Sequence, residues 1–222
     1  MWNGRWNNQV VGAGYFVMGK TLISTTGAIS GGTAAVEFLT GLDSTYMVYE
    51  FHFYNIHPNT GEAASGGQAH WCWQSDVGTA TTWEQQYQNT FIRGYSGEGN
   101  PGDQVIAYQN YYDIHIGQTS HTEDDYMPSG HTFHPYATLC YGIEADDTTD
   151  STSGYLTLYD PANGTHNKKF NSRMNGTHHA NEYTLYCYSN GYIHQGSAIT
   201  RVRFKFSNGT IDSGVIKLFG IS

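Results

Sequence analysis

Eleven histidines in a chain of 222 residues are the first candidates for chemistry. His131 and His134 stand in the run His-Thr-Phe-His, close to His121, and the pair His178-His179 follows His166. Neutral imidazole is a common ligand for divalent metals. No His-Glu-x-x-His motif and no Cys/His spacing accompanies these residues, so neither a metal site nor a cofactor is expected. Two acidic groups come next, Glu123-Asp124-Asp125 and Glu144 with Asp146, Asp147 and Asp150. Such carboxylates could hold Ca²⁺ in a loop. At a defined separation they could instead act as acid and base on a glycosidic bond, with Trp71, Trp73 and Tyr111-Tyr112 as a sugar platform. The EF-hand pattern, the Gly-x-Ser-x-Gly nucleophile turn and a Gly-rich phosphate loop are all missing from the sequence. A solvated acidic loop is the plainer reading, and a protein that is not an enzyme is expected.

The aromatic residues suggest binding instead. There are 18 Tyr, 10 Phe and 5 Trp, and Tyr and Trp offer rigid amphipathic faces that lose little entropy on contact. The competing explanation for any one ring is core packing or a cross-strand pair, since aromatics favour strands. The contact surface is placed on three polar loops, Gly94 to Asp103, Gly117 to His134 and Ala145 to Ser153, because long loops on a rigid scaffold carry function. Tyr95, Tyr111, Tyr112, His121, Asp124, Tyr126, His131 and Asp147, on and around these loops, are the candidate ligand contacts.

Charge narrows the choice further. The net charge is −9, and Asp plus Glu outnumber Lys plus Arg by 19 to 10, which argues against nucleic acid as a partner. No apolar stretch reaches membrane-spanning length, so no membrane insertion is expected. The sequence from Met1 to Trp6 lacks the charged and apolar regions of a signal peptide, so assembly in a cytoplasm is expected. Cys72, Cys140 and Cys187 show no Cys-x-x-Cys spacing and read as buried free thiols.

These side chains must be positioned by strands. Val202, Phe204 and Phe206 alternate with Arg201, Arg203 and Lys205, the period of a half-buried strand. Asn208-Gly209 then predicts a hairpin turn into a last strand from Val215 to Ile221. Further strands are predicted from Leu22, over Thr33–Phe38, and over Tyr46–Ile56 with Met47, Tyr49, Phe51 and Phe53 on one face. Others follow at Ala69–Gln74, Gln86–Arg93, Gln104–Tyr108, Leu139–Glu144, Gly154–Tyr159 and Tyr183–Tyr188. Asn163-Gly, Asn175-Gly and Asn190-Gly read as further turns, since both residues tolerate positive φ. About ten short strands with frequent turn signals and no helical stretch predict an all-β chain. It would be a β-sandwich, jelly-roll-like, in one domain over 21–222. Residues 1–20, with Trp2, Arg5 and Trp6, read either as an arm that docks on a partner or as a first strand or loosely ordered terminus. Leu185 and Cys187 alternate with Tyr186 and Tyr188, so a second sheet would cover one face and a neighbouring subunit the other.

Three segments carry a resemblance. The first is Leu22-Ile23-Ser24-Thr25, followed by Asp43-Ser44-Thr45-Tyr46 through Phe51, Phe53 and Asn55-Ile56-His57-Pro58. The second runs from Ser153-Gly154-Tyr155 to Asp160-Pro161, then Lys169-Phe170. The third runs from Ile199 through Arg203-Phe204-Lys205-Phe206 and Ser207-Asn208-Gly209 to Leu218-Phe219-Gly220-Ile221. Together they resemble a family of virion structural proteins of tailed bacteriophages, of the marine and cyanobacterial type. The similarity spans about residues 20 to 222, with departures between Gly61 and Tyr136. It implies a location in the virion after assembly in the host cytoplasm, and other virion proteins (tail, baseplate or capsid) as partners. It also implies a homo-oligomer, a trimer by analogy with phage appendages. The function it implies is a tail- or fibre-associated module that contacts a host surface glycan or protein. Two alternatives stand beside it, a capsid decoration protein that stabilises the shell and a polysaccharide-binding or depolymerase module. No catalytic residue comes with the resemblance.

Overall fold

The computed structural model describes residues 19–59, 68–78, 83, 85, 87–96, 105–108, 136–144, 150–178 and 183–222. Among them there are twelve strands and no helix: β1 Lys20–Thr25, β2 Val36–Phe38, β3 Val48–Pro58, β4 Gln68–Asp76, β5 Tyr87–Ser96, β6 Val105–Tyr108, β7 Ala137–Glu144, β8 Thr152–Tyr159, β9 Lys168–His178, β10 Tyr183–Ile193, β11 Arg201–Phe206 and β12 Ile211–Ile221. All pairings are antiparallel, and they form two sheets. The larger runs β1-β12-β3-β8-β9-β10-β5-β6 and the smaller β2-β11-β4-β7. The sheets touch edgewise at two points, Ile143 opposite His178 and Thr33 opposite Ile211.

The pairing is nested. β1 pairs with β12, β2 with β11, β3 with β8 and β4 with β7. Eight strands folded back on themselves in this order, alternating between two sheets, are a jelly roll. The remaining strands, β5-β6 and β9-β10, are two insertions that extend only the larger sheet. The β-sandwich read from the sequence is therefore the observed fold.

The core lies between the sheets. Tyr49, Phe51 and Phe53 of β3 face Trp71 of β4, Phe38 of β2 and Phe204 of β11, all buried. The Phe204 ring centroid lies 5.0 Å from that of Phe51, 4.9 Å from Phe53 and 6.0 Å from Trp71. Further along, Trp73 meets Tyr87 and Phe170, each at 5.0 Å. Trp71 and Trp73 are fully buried, so the sugar platform they were suggested to supply does not exist. Cys72, Cys140 and Cys187 are buried thiols, with 3.6 Å between the sulfurs of Cys140 and Cys187 across the core.

Several sequence expectations need correction. Asn208-Gly209 is a turn, with Gly209 at φ 70°, but not a hairpin: β11 and β12 lie in different sheets. Asn208 keeps negative φ, whereas a type I′ hairpin needs positive φ at both central residues. Asn175-Gly176 and Asn190-Gly191 sit inside β9 and β10. Glycine there answers a close approach, since a Cβ on Gly191 would come within 2.1 Å of the Gln88 carbonyl oxygen. Only Asn163-Gly164 joins paired neighbours, with the Asn163 side-chain oxygen accepting from the amides of Thr165 and His166. Met47, expected on the core face, is 65% exposed because β3 begins after it.

Candidate binding site on the larger sheet

Strand alternation sends one set of side chains from the larger sheet away from the core. From β3 these are Glu50, His52 and Tyr54, and from β8 Tyr155, Thr157 and Tyr159. β9 supplies Lys169, Asn171 and Arg173, and β10 Tyr186, Tyr188, Asn190 and Tyr192. The register then aligns them in rows across the strands. Lys217, His52, Tyr155, Arg173 and Tyr188 form one row. Phe219, Glu50, Thr157, Asn171 and Asn190 form the next, and Val48, Tyr159, Lys169 and Tyr192 a third. Because the two insertions add strands only to this sheet, its outer face is wide.

Cations and rings interleave on this face. The Lys169 ammonium lies 4.5 Å from the Tyr192 ring centre, the Arg173 guanidinium 5.8 Å from Tyr188, and Lys217 5.3 Å from Tyr54. His52 stacks between Tyr155 at 5.9 Å and Tyr54 at 6.3 Å, and meets the edge of Phe219 at 5.0 Å. Tyr54, Tyr159 and Tyr186 remain partly exposed on this face. Aromatic groups presented this way suit contact with another surface better than they suit solubility.

At the centre is a shallow groove of about 300 Å³. Thr157 is its floor, and Tyr155, Tyr159, Tyr188, Asn171, Arg173, Glu50 and Val48 surround it. Glu50 is engaged on its other side by the Lys20 ammonium from β1 and by His52 Nε2 at 2.9 Å. Burial alone would raise the Glu50 carboxyl, but hydrogen bonds and charges from Lys20 and His52 outweigh it and hold the pKa below its ordinary value. Glu50 is therefore an ionised, compensated carboxylate, the opposite of the raised-pKa acid that glycosidic protonation needs. The Asn171 amide donates to the Tyr159 hydroxyl at 2.7 Å and fixes both side chains.

The other sheet offers less. On its outer side Arg203 donates to the Gln74 side-chain oxygen at 2.7 Å, approaches Glu37 at 3.7 Å and lies 4.7 Å over the Trp83 ring. Cys72, Gln74 and Asp76 are buried there.

The residues chosen from the sequence are not the ones brought together here. Tyr95 lies in β5, opposite Leu185. Tyr111, Tyr112, His121, Asp124, Tyr126, His131 and Asp147 lie outside the described residues, as do Trp2, Arg5 and Trp6 of the proposed arm. Among the described residues no group of three His, Cys, Asp or Glu side chains is placed to hold a metal ion. The outward tyrosines of β10 were visible as alternation. Glu50, Thr157, Asn171 and Arg173 were missed because they come from three strands and only the register assembles them.

No family model matches this chain, and neither does any curated protein or solved structure.

Proposed function

We propose that this protein is a non-enzymatic structural component of a tailed-phage virion, a tail- or fibre-associated module that engages glycan on the host surface. The observation that carries the binding half of this reading is the outer face of the larger sheet, where exposed tyrosines alternate in register with lysine and arginine around a groove. Rigid rings beside charged and amide groups are the ingredients of polar, stacking recognition. The virion half rests on the three sequence segments that resemble phage structural proteins, and a jelly roll agrees with it as analogy, since capsid and lectin domains share that architecture. Further copies of the chain and neighbouring virion proteins are its proposed partners.

Immunogold labelling of intact virions with antibody against the purified chain tests the assignment. Gold at the tail, together with binding of the purified protein to host cells, is the expected result. Gold spread over the head would replace host contact with shell decoration. Release of sugar from host polysaccharide by the purified protein would overturn the non-enzymatic reading.

A further inference from the structure

We infer that the groove over Thr157 binds an acidic saccharide, a sugar ring bearing a carboxylate, with Arg173 taking the carboxylate. This rests on the reading of the outer face as a glycan-contact surface and specifies its ligand.

Arg173 carries the argument. It is exposed on β9, in register between Tyr155 of β8 and Tyr188 of β10. Among the described residues the Tyr188 ring packs against it, and no carboxylate pairs with it. The acid that lines the same groove, Glu50, is already matched by Lys20 and His52. Among the described residues the guanidinium is thus a positive charge without a carboxylate partner, and its planar fork of donors has the geometry that grips a carboxylate through two parallel bonds. Lys169, two rows away on the same strand and outside the groove lining, adds to the positive field. This local excess stands out on a chain of net charge −9, and it points to an anionic group in the ligand.

The remaining lining points to a sugar rather than a bare ion. Tyr155 and Tyr159 flank Thr157 on β8 and line the groove together with Tyr188, and this mostly polar lining suits a hydroxylated ring. The Asn171 amide, held by its bond to Tyr159, keeps its carbonyl oxygen and second N–H for ring hydroxyls. A groove of about 300 Å³ lies at the small end of ligand sites, suited to one or two rings. A simple inorganic anion would use Arg173 and leave the rings and amide idle.

The test uses the full chain and two probes with the same sugar backbone, trigalacturonic acid and its fully methyl-esterified, uncharged form, titrated by isothermal calorimetry and by backbone amide shifts. The acid should bind about tenfold tighter than the ester, the worth of one charge-assisted contact. Shifts should centre on β8 and β9. Arg173→Ala should abolish the preference while leaving the melting temperature unchanged, Arg173→Lys should keep part of it, and Tyr155→Ala should weaken both probes. Equal affinity for acid and ester, no binding of either, or a preference that survives Arg173→Ala would overturn the inference. So would displacement of the acid by inorganic phosphate at equal concentration. Binding of the purified chain to host cells decides the broader reading separately: cells bound without acid preference would sink this inference and spare the attachment role.

Discussion

Replacing Phe204 with Ala tests whether the two sheets are joined where the ring cluster places the joint. Phe204 belongs to β11 of the smaller sheet and is fully buried. Its ring makes edge contacts at 4.9 Å with Phe53 and 5.0 Å with Phe51, both on β3 of the larger sheet, and at 6.1 Å with Phe38 of β2. It also stacks at 6.0 Å on Trp71. Truncating a buried Phe costs about 3–5 kcal/mol through lost transfer energy and a residual cavity. Four ring partners put this site in the upper half, at about 4 kcal/mol. For a domain of this size that is a fall in melting temperature of roughly 8–16 °C. Urea unfolding followed by tryptophan fluorescence gives the free energy, and a double-mutant cycle gives the joint itself. Phe204 and Phe53 should couple by about 1 kcal/mol. Phe91 on β5 lies four strands from β3, roughly 19 Å at the usual strand spacing. Phe204 and Phe91 should therefore be additive within about 0.5 kcal/mol. A cost below about 2 kcal/mol, or equal coupling to Phe53 and Phe91, would refute the proposed packing.

Lys168 is buried to 1% exposure, and its ammonium donates to the carbonyls of His166, Gln195 and Gly196 at 2.8, 3.1 and 3.0 Å. Lys168→Met keeps the stem, strips three donors and should cost about 1–3 kcal/mol in urea unfolding; an unchanged midpoint would mean that burying the charge cancels its bonds. Gly191→Ala should destabilise by about 2–3 kcal/mol, because the new methyl meets the β5 backbone at 2.1 and 2.7 Å. Gly164→Ala, with nothing within 4 Å, should stay within about 0.5 kcal/mol. Stability should also fall on the alkaline side. Burial pushes the Cys72 thiol from 9.0 up to about 12, so above pH 9 the unfolded chain loses a proton that the folded chain keeps. Each further pH unit then costs about 1.4 kcal/mol, or about 2 kcal/mol by pH 10.5. Tyr87, raised by burial from 10.0, adds in the same sense from pH 10 upward. Urea midpoints at pH 8, 9.5 and 10.5 measure the fall, and Cys72→Ala should remove only its own share of the part that starts near pH 9, because burial also raises the Cys187 thiol.

Much of the fold was legible because alternation is a local signal. β11 shows it cleanly, with Val202, Phe204 and Phe206 buried and their neighbours half-buried. β9 was missed for the same reason in reverse: Ser172 and Lys168 occupy inward, buried positions, so the strand reads as polar, and Asn175-Gly176 mimics a turn. β12 begins at Ile211 rather than Val215 because irregular pairing at Ser213 and Gly214, with Gly214 at φ 133°, breaks the alternation. β3 bends similarly at Asn55, whose positive φ of 48° accompanies a register shift against β8. The nested pairing of chain ends leaves no mark on either partner alone. The groove is less legible still, since Glu50 and Arg173 share it only through the register of β3, β8 and β9.

The same nesting sets a schedule for biosynthesis. β12 lies between β1 and β3, two strands made near the start of the chain. Until residues 211–221 leave the ribosome, β1 has no partner among the described strands and β3 has one bare edge. The nascent domain must carry an open sheet edge through nearly all of its translation, when exposed edges invite pairing between chains. Such long-range closure is also slow. Ribosome-held chains that stop before Ile211 should stay protease-sensitive, and protection should come in one step once β12 is free.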